Sequence, residues 1–481
     1  MDRTRDRIGR GFAVLLAASL VLAGLSGATE AKKKRGLTKK KANRLYINVG
    51  EKASDSELLD GTDSGAFARD SEIVPTVLGG DGPGSGLDAD LLDGLSSAAF
   101  ERLGHSYCDL LSEPGSHAPC ATFSTLVFGA NPGGVGRQTS VAIGVDGNPI
   151  ISHRGLTGAM LVTACDDSAC VERATGAAAD TANDIGEDSS LAIGTDGNPV
   201  ISHRDTDAGA LMVTKCNDPN CAGGSEPTTT VVDAADSVGH NTSLAIGSDG
   251  NPVIAHQNST DGQLVVTHCD DPACSATGET STIVDDSGSD NLGLNPSIAI
   301  GTDDNPVIAY QDLTNDSLKV AKCDDPACAP GGEVVTTVDQ GPPEVGRHPS
   351  IAIGTDGNPV IAHQNNDDGT LRVAACNDPA CADGNETLTT VDDQASEVGD
   401  YPALLIGLDG NPMIAYRGAS ADLTLARCND PLCAGGNEDI TVVDGTAVAI
   451  DTSTAMGVDG EVVISYYSDI DDALKVSRVP A

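Results

Sequence analysis

The sequence lacks tryptophan altogether and contains only 5 phenylalanine and 7 tyrosine residues among its 481. Ring-stacking platforms for sugars are therefore scarce. Basic residues are also few, 28 against 71 acidic ones, which gives a formal net charge of -43. This charge argues against a nucleic-acid partner, because binding to phosphates needs a basic surface. No long apolar run follows the first 25 residues, so we expect no membrane span beyond the N-terminus.

The N-terminus has the three-part pattern of a secretory signal peptide. Four arginines within the first ten residues precede an apolar run from Phe12 to about Leu25, and small residues follow it. We expect residues 1–28 to be a signal peptide whose cleavage leaves no transmembrane anchor; an uncleaved anchor is the alternative. Residues 29–45 are rich in lysine, and the first 45 residues hold 12 of the 28 basic residues. This composition predicts a disordered basic segment.

Residues 46–107 form an acidic linker that contains a short repeat. The phrases at residues 55–61 and 88–94 both end in Leu-Leu-Asp-Gly, and a glycine-rich stretch separates them. The second phrase and the leucine before it, Leu-Asp-Ala-Asp-Leu-Leu-Asp-Gly, resemble a short repeat of phage tail-fibre and related bacterial surface proteins. The resemblance implies a slender, often trimeric stalk. The sequence leaves the oligomeric state open.

From about residue 121 the chain repeats one unit seven times. Glycine and proline, 56 and 24 residues in the whole chain, mark its many turns and argue against a helical bundle. A phrase of the type Gly-x-Asp-Gly-Asn-Pro recurs every 50 to 54 residues, with its first aspartate at Asp146, Asp196, Asp249, Asp303, Asp356, Asp409 and Asp459. Such a period is typical of a solenoid, a propeller or an array of small domains. Each unit reads as four short apolar strands, which favours the blade of a β-propeller.

The two ends of the repeat array predict how a ring would close. The last unit stops after its third strand, at residues 474–477, and a spare strand at residues 124–128 precedes the first unit. Pairing of these strands would complete a seventh blade and remove an exposed sheet edge. We therefore predict an all-β fold, a seven-bladed β-propeller over residues 108–481 that an N-terminal strand closes.

Fourteen cysteines agree with this number of blades. Cys108 and Cys120 precede the spare strand, and every other pair follows a third strand with Cys-x4-Cys spacing. These six pairs are Cys165/Cys170, Cys216/Cys221, Cys269/Cys274, Cys323/Cys328, Cys376/Cys381 and Cys428/Cys433. In an exported protein we expect seven disulfides. Zinc sites are the alternative, although each loop offers two thiolates and zinc takes four ligands.

The repeats resemble the propeller arrays of uncharacterised secreted bacterial proteins. The resemblance rests on phrases such as Ser-Ile-Ala-Ile-Gly-Thr-Asp-Gly-Asn-Pro-Val-Ile-Ala at residues 350–362 and covers residues 121–481. It implies a propeller that is secreted or held at the cell surface. The hairpin is also loosely similar to the Asp-box turn of sialidases, but the tryptophan of that motif is absent, so no sialidase activity is implied.

The strand connections predict two different ends of the propeller. We call the end with the Asp-Gly hairpins and cysteine loops the hairpin face, and the opposite end the variable face, because its loops differ between units. Functional residues concentrate on loops of a rigid scaffold, so we expect a ligand site on the variable face. Candidates at the ends of second strands are His153, Arg154, His203, Arg204, His256, Gln257, Tyr310, Gln311, His363, Gln364, Tyr416, Arg417 and Tyr466. Candidates in blade-to-blade loops near the channel mouth are Arg137, His240, Arg347, His348 and Tyr401.

These candidates have two interpretations. The recurring histidine or tyrosine could fill gaps between blades and bond to the backbone, or it could form a ring of sugar- or anion-binding pockets. Acidic residues such as Asp205 and Asp312 in the second-to-third-strand loops make calcium possible, but no loop has an EF-hand pattern. We expect no other cofactor.

Recurrence of the same polar residues in every unit predicts a binding protein, because a catalytic centre needs a unique constellation. We expect a non-catalytic, secreted or surface adhesion propeller, lectin-like toward an extracellular glycan or surface polymer, and not an enzyme. The first alternative is a secreted polysaccharide hydrolase or lyase, in which unlike residues on different blades, such as His240, His348 and Asp400, would act together. The second alternative is a structural role in the cell envelope.

Overall fold

The structure, a computed structural model, describes residues 123–126 and 135–480 apart from short stretches in the loops. All regular structure in this part of the chain is β-strand. The strands are β1 (Phe123–Leu126), β2 (Arg137–Ile143), β3 (Pro149–Arg154), β4 (Met160–Ala164), β5 (Ala177–Asp180), β6 (Glu187–Ile193), β7 (Pro199–Asp205), β8 (Ala210–Lys215), β9 (Thr228–Asp233), β10 (His240–Ile246), β11 (Pro252–Asn258), β12 (Gln263–His268), β13 (Thr280–Asp285), β14 (Leu294–Ile300), β15 (Pro306–Asp312), β16 (Ser317–Lys322), β17 (Val334–Gln340), β18 (Val345–Ile353), β19 (Pro359–Asn365), β20 (Thr370–Ala375), β21 (Thr387–Asp392), β22 (Asp400–Ile406), β23 (Pro412–Arg417), β24 (Leu423–Arg427), β25 (Asp439–Asp444), β26 (Ala449–Met456), β27 (Glu461–Ser468) and β28 (Ala473–Pro480).

Several predictions from the sequence lie outside the described residues. They are the signal peptide of residues 1–28, the basic segment of residues 29–45, the linker of residues 46–107 and the pairing of Cys108 with Cys120. They stay predictions. Within the described part, no helix has the length and apolar character that crossing a membrane requires.

The described strands form seven four-stranded antiparallel sheets. Blades 1 to 6 are β2–β5, β6–β9, β10–β13, β14–β17, β18–β21 and β22–β25, and blade 7 combines β26, β27 and β28 with β1. The first strands of neighbouring blades contact each other in an unbroken series that runs from β2 to β26 and back to β2. These strands therefore surround a central channel. The predicted seven-bladed propeller is confirmed.

The ring closes through the strand pair that the ends of the repeat array predict. β1 runs antiparallel to β28, with Ser124 opposite Ser477 and Leu126 opposite Lys475. The closing strand occupies Phe123–Leu126, slightly earlier than the predicted residues 124–128. Because β1 belongs to the N-terminal side and β28 to the C-terminal side, this blade joins the two ends of the repeat array.

The hydrophobic core lies between neighbouring blades. Val253 and Leu264 of blade 3, for example, pack in one buried cluster with Ile308 and Tyr310 of blade 4. Similar clusters of mainly aliphatic residues join other neighbouring blades around the ring. Small aliphatic side chains suffice because each sheet buries both of its faces against its neighbours.

Disulfides join all six Cys-x4-Cys pairs of the described residues, with Cα–Cα distances of 4.8 to 5.2 Å. The disulfide prediction is thus confirmed for these six loops. The bonds join Cys165 with Cys170, Cys216 with Cys221, Cys269 with Cys274, Cys323 with Cys328, Cys376 with Cys381, and Cys428 with Cys433.

The second cysteine of each pair lies in a turn, as the sequence predicts. Each one is also buried, at most 3 % exposed, in a core cluster between blades. The reason is a positive φ of 48° to 56°, which turns the chain back toward the first cysteine at the end of the third strand. In blade 1 an aspartate stabilises this turn, since Asp167 Oδ1 accepts the amide of Ala169 at 2.9 Å. The residues concerned are Cys170, Cys221, Cys274, Cys328, Cys381 and Cys433.

A ring of serine hydroxyls links the first strands of neighbouring blades. In blade 2, for example, Ser190 Oγ accepts the backbone amide of Leu244 in blade 3 at 3.0 Å. The same bond occurs at six of the seven junctions, with distances of 2.9 to 3.1 Å. Its acceptors, which we call the serine ring, are Ser140, Ser190, Ser243, Ser297, Ser350 and Ser453. The junction between blades 6 and 7 has Ala403 at this position.

Candidate functional site

The seven second-strand candidates with an aromatic or imidazole ring lie in the protein interior. They are His153, His203, His256, Tyr310, His363, Tyr416 and Tyr466, and each is 0 % exposed. The side chains lie at the same depth in every blade, between the sheets. In this structure they are out of reach of a polymer on the variable face.

Hydrogen bonds within and between blades hold six of these seven buried groups. The exception is His363, whose Nε2 lies 3.4 Å from a carboxylate oxygen of Asp339. His256 Nε2 lies 3.0 Å from the hydroxyl of Thr267 on the next strand of the same blade. Tyr416 donates to Asp392 of the preceding blade at 2.7 Å. Burial lowers the pKa of His153 to about 4, so that imidazole is neutral at pH 7. The contacts are those of the packing interpretation.

The neighbouring arginine and glutamine candidates also contact other parts of the protein. Gln257 donates to the backbone oxygen of Leu292 at 2.7 Å, across the boundary between blades 3 and 4. Gln311 and Gln364 are likewise buried. Arg204 forms an ion pair with Glu187 at 3.0 Å. The remaining candidates of this type, Arg154 and Arg417, are half-buried at the variable end of their strands.

The channel-mouth candidates lie in strands and not in loops, which corrects the sequence-based placement. Arg137 begins β2, His240 begins β10, and Arg347 and His348 belong to β18. The first strands extend further toward the variable face than predicted, because a β-bulge near the start of each one keeps it paired with the second strand.

Each bulge places one polar residue with positive φ beside the channel. These seven residues, which we call the bulge ring, are Gln138, Asp188, Asn241, Asn295, His348, Tyr401 and Asp451, with φ between 47° and 54°. All seven are half-buried. Non-glycine residues adopt this conformation rarely, and such strain is common at functional sites. The bulge ring therefore gathers seven side chains of five different types at the variable end of the channel.

Carboxylates hold one side of the bulge ring in place. Asp451 accepts the backbone amide of Gln138 at 2.8 Å, and Asp188 accepts the Gln138 side-chain amide at 2.6 Å. Asp188 also accepts the backbone amide of Asn241 at 2.9 Å. Desolvation raises the pKa of Asp188 to about 6, and it also raises the pKa of Asp451. Both carboxyls thus bridge neighbouring blades.

The opposite side of the bulge ring carries a histidine–carboxylate pair. Nδ1 of His348 donates to Oδ1 of Asp400 on the next blade at 2.8 Å. Burial would raise the pKa of Asp400, but the bond from His348 and the charges of Arg347 and Arg417 outweigh it and lower the pKa. The His348 ring stacks on Tyr401, with centroids 4.5 Å apart and an interplanar angle of 15°. Two of the residues expected for an enzyme, His348 and Asp400, are therefore in direct contact.

His240, the third of those residues, lies apart from this pair. Its Nε2 is 3.1 Å from the hydroxyl of Ser237. It precedes the bulge-ring residue Asn241 by one position, and so belongs to a different blade from His348. The structure does not place it in the His348–Asp400 pair.

A cavity of about 310 Å³ occupies the channel from the bulge ring inward. The bulge ring, the serine ring and the residues between them line it, so its wall consists mainly of hydroxyls, amides and carboxyls. Its volume is at the lower end of the range for ligand pockets, about 300–1,000 Å³. The wall can donate and accept hydrogen bonds in many directions, which suits a polyhydroxylated ligand.

Five of the seven bulge-ring residues are not among the site candidates predicted from the sequence: Gln138, Asp188, Asn241, Asn295 and Asp451. One signal could have found them. The residue two positions before the serine-ring position is polar in every unit, yet the seven units use five different residue types there. A position that is constant in polarity but variable in chemistry is a better pointer to a site than the uniform second-strand residues.

The described residues include one carboxylate cluster that could hold a metal ion. Side-chain oxygens of Asp270, Asp271 and Glu279, near the cysteine loop of blade 3, lie within 4.8 Å of one another. This location is on the hairpin face, whereas the sequence suggested calcium in the second-to-third-strand loops of the other face. Calcium binding thus stays a prediction.

No protein-family model matches this chain, and no curated protein matches it. Solved structures with similar architecture do exist. A protein of unknown function from Dyadobacter fermentans aligns at 11 % identity and a TM-score of 0.46, over 76 % of this chain and 98 % of that one. The NanB sialidase from Streptococcus pneumoniae aligns at 10 % identity and a TM-score of 0.43, over 74 % of this chain and 70 % of that one. A thermostable family-43 glycoside hydrolase aligns at 13 % identity and a TM-score of 0.32, over 65 % of this chain and 96 % of that one.

These similarities correct the expectation that the protein is not an enzyme. Two of the three aligned structures are a sialidase and a glycoside hydrolase by name. The TM-scores of 0.32 to 0.46 are too low to transfer either activity to this chain.

Proposed function

We propose that this protein is a secreted enzyme that cleaves an extracellular polysaccharide at the bulge ring. The observation that carries the proposal is the convergence of one unlike polar residue from each blade at one end of the channel. A catalytic centre needs such a unique set, and the contact of His348 with Asp400 adds an oriented base.

The chemistry of the bulge ring divides between binding and proton transfer. Side-chain amides of Gln138, Asn241 and Asn295 can bond sugar hydroxyls, and the Tyr401 ring offers an apolar face. Asp400 accepts the Nδ1 proton of His348, which fixes the tautomer in which Nε2 is the basic nitrogen. Nε2 has no hydrogen-bond partner among the described residues and can take a proton from a ligand.

The six disulfides support the location that we propose. Disulfides persist in oxidising compartments outside the cytosol, where polysaccharides of envelopes and matrices are found. A large acidic surface also keeps the protein soluble in that setting.

The test uses the secreted protein and a panel of neutral and anionic polysaccharides. We expect new reducing ends from at least one polymer, and a loss of at least about 100-fold in His348→Gln, the range for removal of a general base. His268→Gln is the matched control, because it removes a second histidine–aspartate pair, His268 with Asp249 at 3.0 Å, on the hairpin face. Cleavage of no polymer, or equal activity in His348→Gln, would reject the proposal and leave a structural envelope role.

A further inference from the structure

Arginines are concentrated near the bulge ring of this acidic protein. Among the 12 lysines and arginines of the described residues, seven form ion pairs with carboxylates that tie strands or blades together: Lys215, Lys319, Lys322, Arg372, Arg427, Lys475 and Arg478. The other five are all arginines at the variable ends of first and second strands: Arg137, Arg154, Arg204, Arg347 and Arg417. Three of these five also form ion pairs, Arg137 with Asp469, Arg204 with Glu187 and Arg417 with Asp400.

Two of these arginines flank the histidine–carboxylate pair. Arg417 Nη1 is 3.6 Å from Asp400, and Arg347 precedes His348 in the chain. Arg347 Nη1 donates to the side-chain oxygen of Asn366 at 3.2 Å, and no carboxylate of the described residues lies within 4.0 Å of its guanidinium. Arg347 therefore carries a positive charge beside the candidate base that acts on Asp400 only at longer range, without a direct ion pair among the described residues.

A guanidinium without a carboxylate partner is suited to bind one from a ligand, since its planar donors match the two oxygens. In a protein with a net charge of -43, an anionic polymer would otherwise be repelled. Positive charge at this one position favours a substrate that carries carboxylates over a neutral one.

We infer that the substrate is a uronate-bearing polysaccharide and that the enzyme cleaves it by β-elimination. This inference rests on the proposed function and specifies its substrate class and reaction. Three groups match the three needs of such a reaction. His348 and Tyr401 of the cavity wall serve the proton and the leaving oxygen, and Arg347, which precedes His348 in β18, serves the carboxylate.

The step needs no oxidant and no water. His348 Nε2 takes the proton from C5 of the uronate while Arg347 stabilises the negative charge that develops on its carboxylate. The electron pair of the C5–H bond forms a C4–C5 double bond, and the C4–O4 bond breaks. The Tyr401 hydroxyl gives its proton to O4, which becomes the hydroxyl of the released chain. After the products leave, the histidinium loses its proton to solvent and the tyrosinate regains one, which restores the site.

The assay measures two products at once, on polygalacturonate and alginate as uronate polymers and on dextran as the neutral one. New reducing ends report any cleavage, and ultraviolet absorbance of the conjugated unsaturated uronate reports elimination alone. We expect both signals from a uronate polymer and neither from dextran. Reducing ends without the absorbance, or cleavage of the neutral polymer alone, would overturn the inference and leave the proposed function in place. No cleavage of any polymer would overturn both.

Three variants test the residue roles. Tyr401→Phe keeps the ring that stacks on His348 and loses only the hydroxyl, so we expect elimination to fall by about 100-fold or more with unchanged substrate binding. His348→Gln should behave alike. Arg347→Gln should raise KM for the uronate polymer and also lower kcat, because the charge acts in binding and in the transition state. His268→Gln is again the control. Full elimination activity in Tyr401→Phe and Arg347→Gln would refute these assignments.

Discussion

The serine ring offers a direct test of how the blades are held together. At three junctions that do not neighbour one another, Ser190, Ser297 and Ser453 each accept the backbone amide of an adjacent first strand at 3.0 or 3.1 Å. Replacing each by alanine removes the acceptor and leaves the amide donor in place. We expect each substitution to lower the free energy of unfolding.

The magnitude follows from the geometry and exposure of these bonds. A single net hydrogen bond contributes about 0.5–1.5 kcal/mol. The serines are half-buried and line the channel, so water can replace part of each lost bond. We expect a loss of about 1 kcal/mol for each variant and about 3 kcal/mol for the triple variant, because separate junctions should act additively.

The seventh junction provides a test of opposite sign. Ala403 stands where the other six junctions have serine, so Ala403→Ser supplies an acceptor near the amide of Thr454. We expect a gain of up to about 1 kcal/mol. Ser248→Ala is the control, because Ser248 is exposed in a hairpin and its loss should change the free energy by under about 0.5 kcal/mol.

Equilibrium unfolding in urea, followed by circular dichroism, measures these changes; without tryptophan the usual fluorescence signal is absent. The urea concentration at the unfolding midpoint should fall for the triple variant, rise for Ala403→Ser and remain unchanged for the control. If the triple variant unfolded at the same urea concentration as the parent, the serine ring would not stabilise the junctions and the reasoning would be refuted.

Three further predictions concern stability. Asp188→Asn should stabilise the protein at pH 7 by on the order of 1–3 kcal/mol and leave its stability at pH 3.5 unchanged. The reason is that the pKa of Asp188 is higher in the folded state, so the folded protein loses stability as pH rises from about 4 to about 6 and the carboxyl ionises. Equal effects at both pH values, in urea titrations, would contradict this. Replacing Cys323 and Cys328 together by serine should cost about 2 kcal/mol for loss of the short closed loop, and a urea midpoint equal to that of the parent would argue against it. Deleting residues 123–126 should lower the melting temperature strongly, because β28 loses its outer partner and blade 7 no longer joins the two ends of the repeat array; a calorimetric trace identical to that of the full chain would show that β1 is dispensable.

The sequence by itself determined the architecture of this protein. Seven hairpins, six with Asp-Gly and one with Asp303-Asp304, recur at a period near fifty residues and set the number of blades. The spare strand before Asp146 and the missing one after Asp459 set the closure. The cysteine spacing likewise indicated six disulfides in the described loops. These features are local: a turn, a short strand or a six-residue loop depends mainly on nearby residues, and repetition makes the same local signal visible seven times.

The location of the candidate site depended on tertiary structure. The pattern of His or Tyr at second-strand ends, such as His203, marks polarity but not depth, and only the stacking of sheets shows that these rings are buried. His348 and Asp400 are 52 positions apart and meet because neighbouring first strands converge on one channel. Bulges then turn one residue of each strand toward that channel. Burial and convergence arise from contacts between blades, which no single repeat contains, and so only the closed ring decides which polar residues share a site.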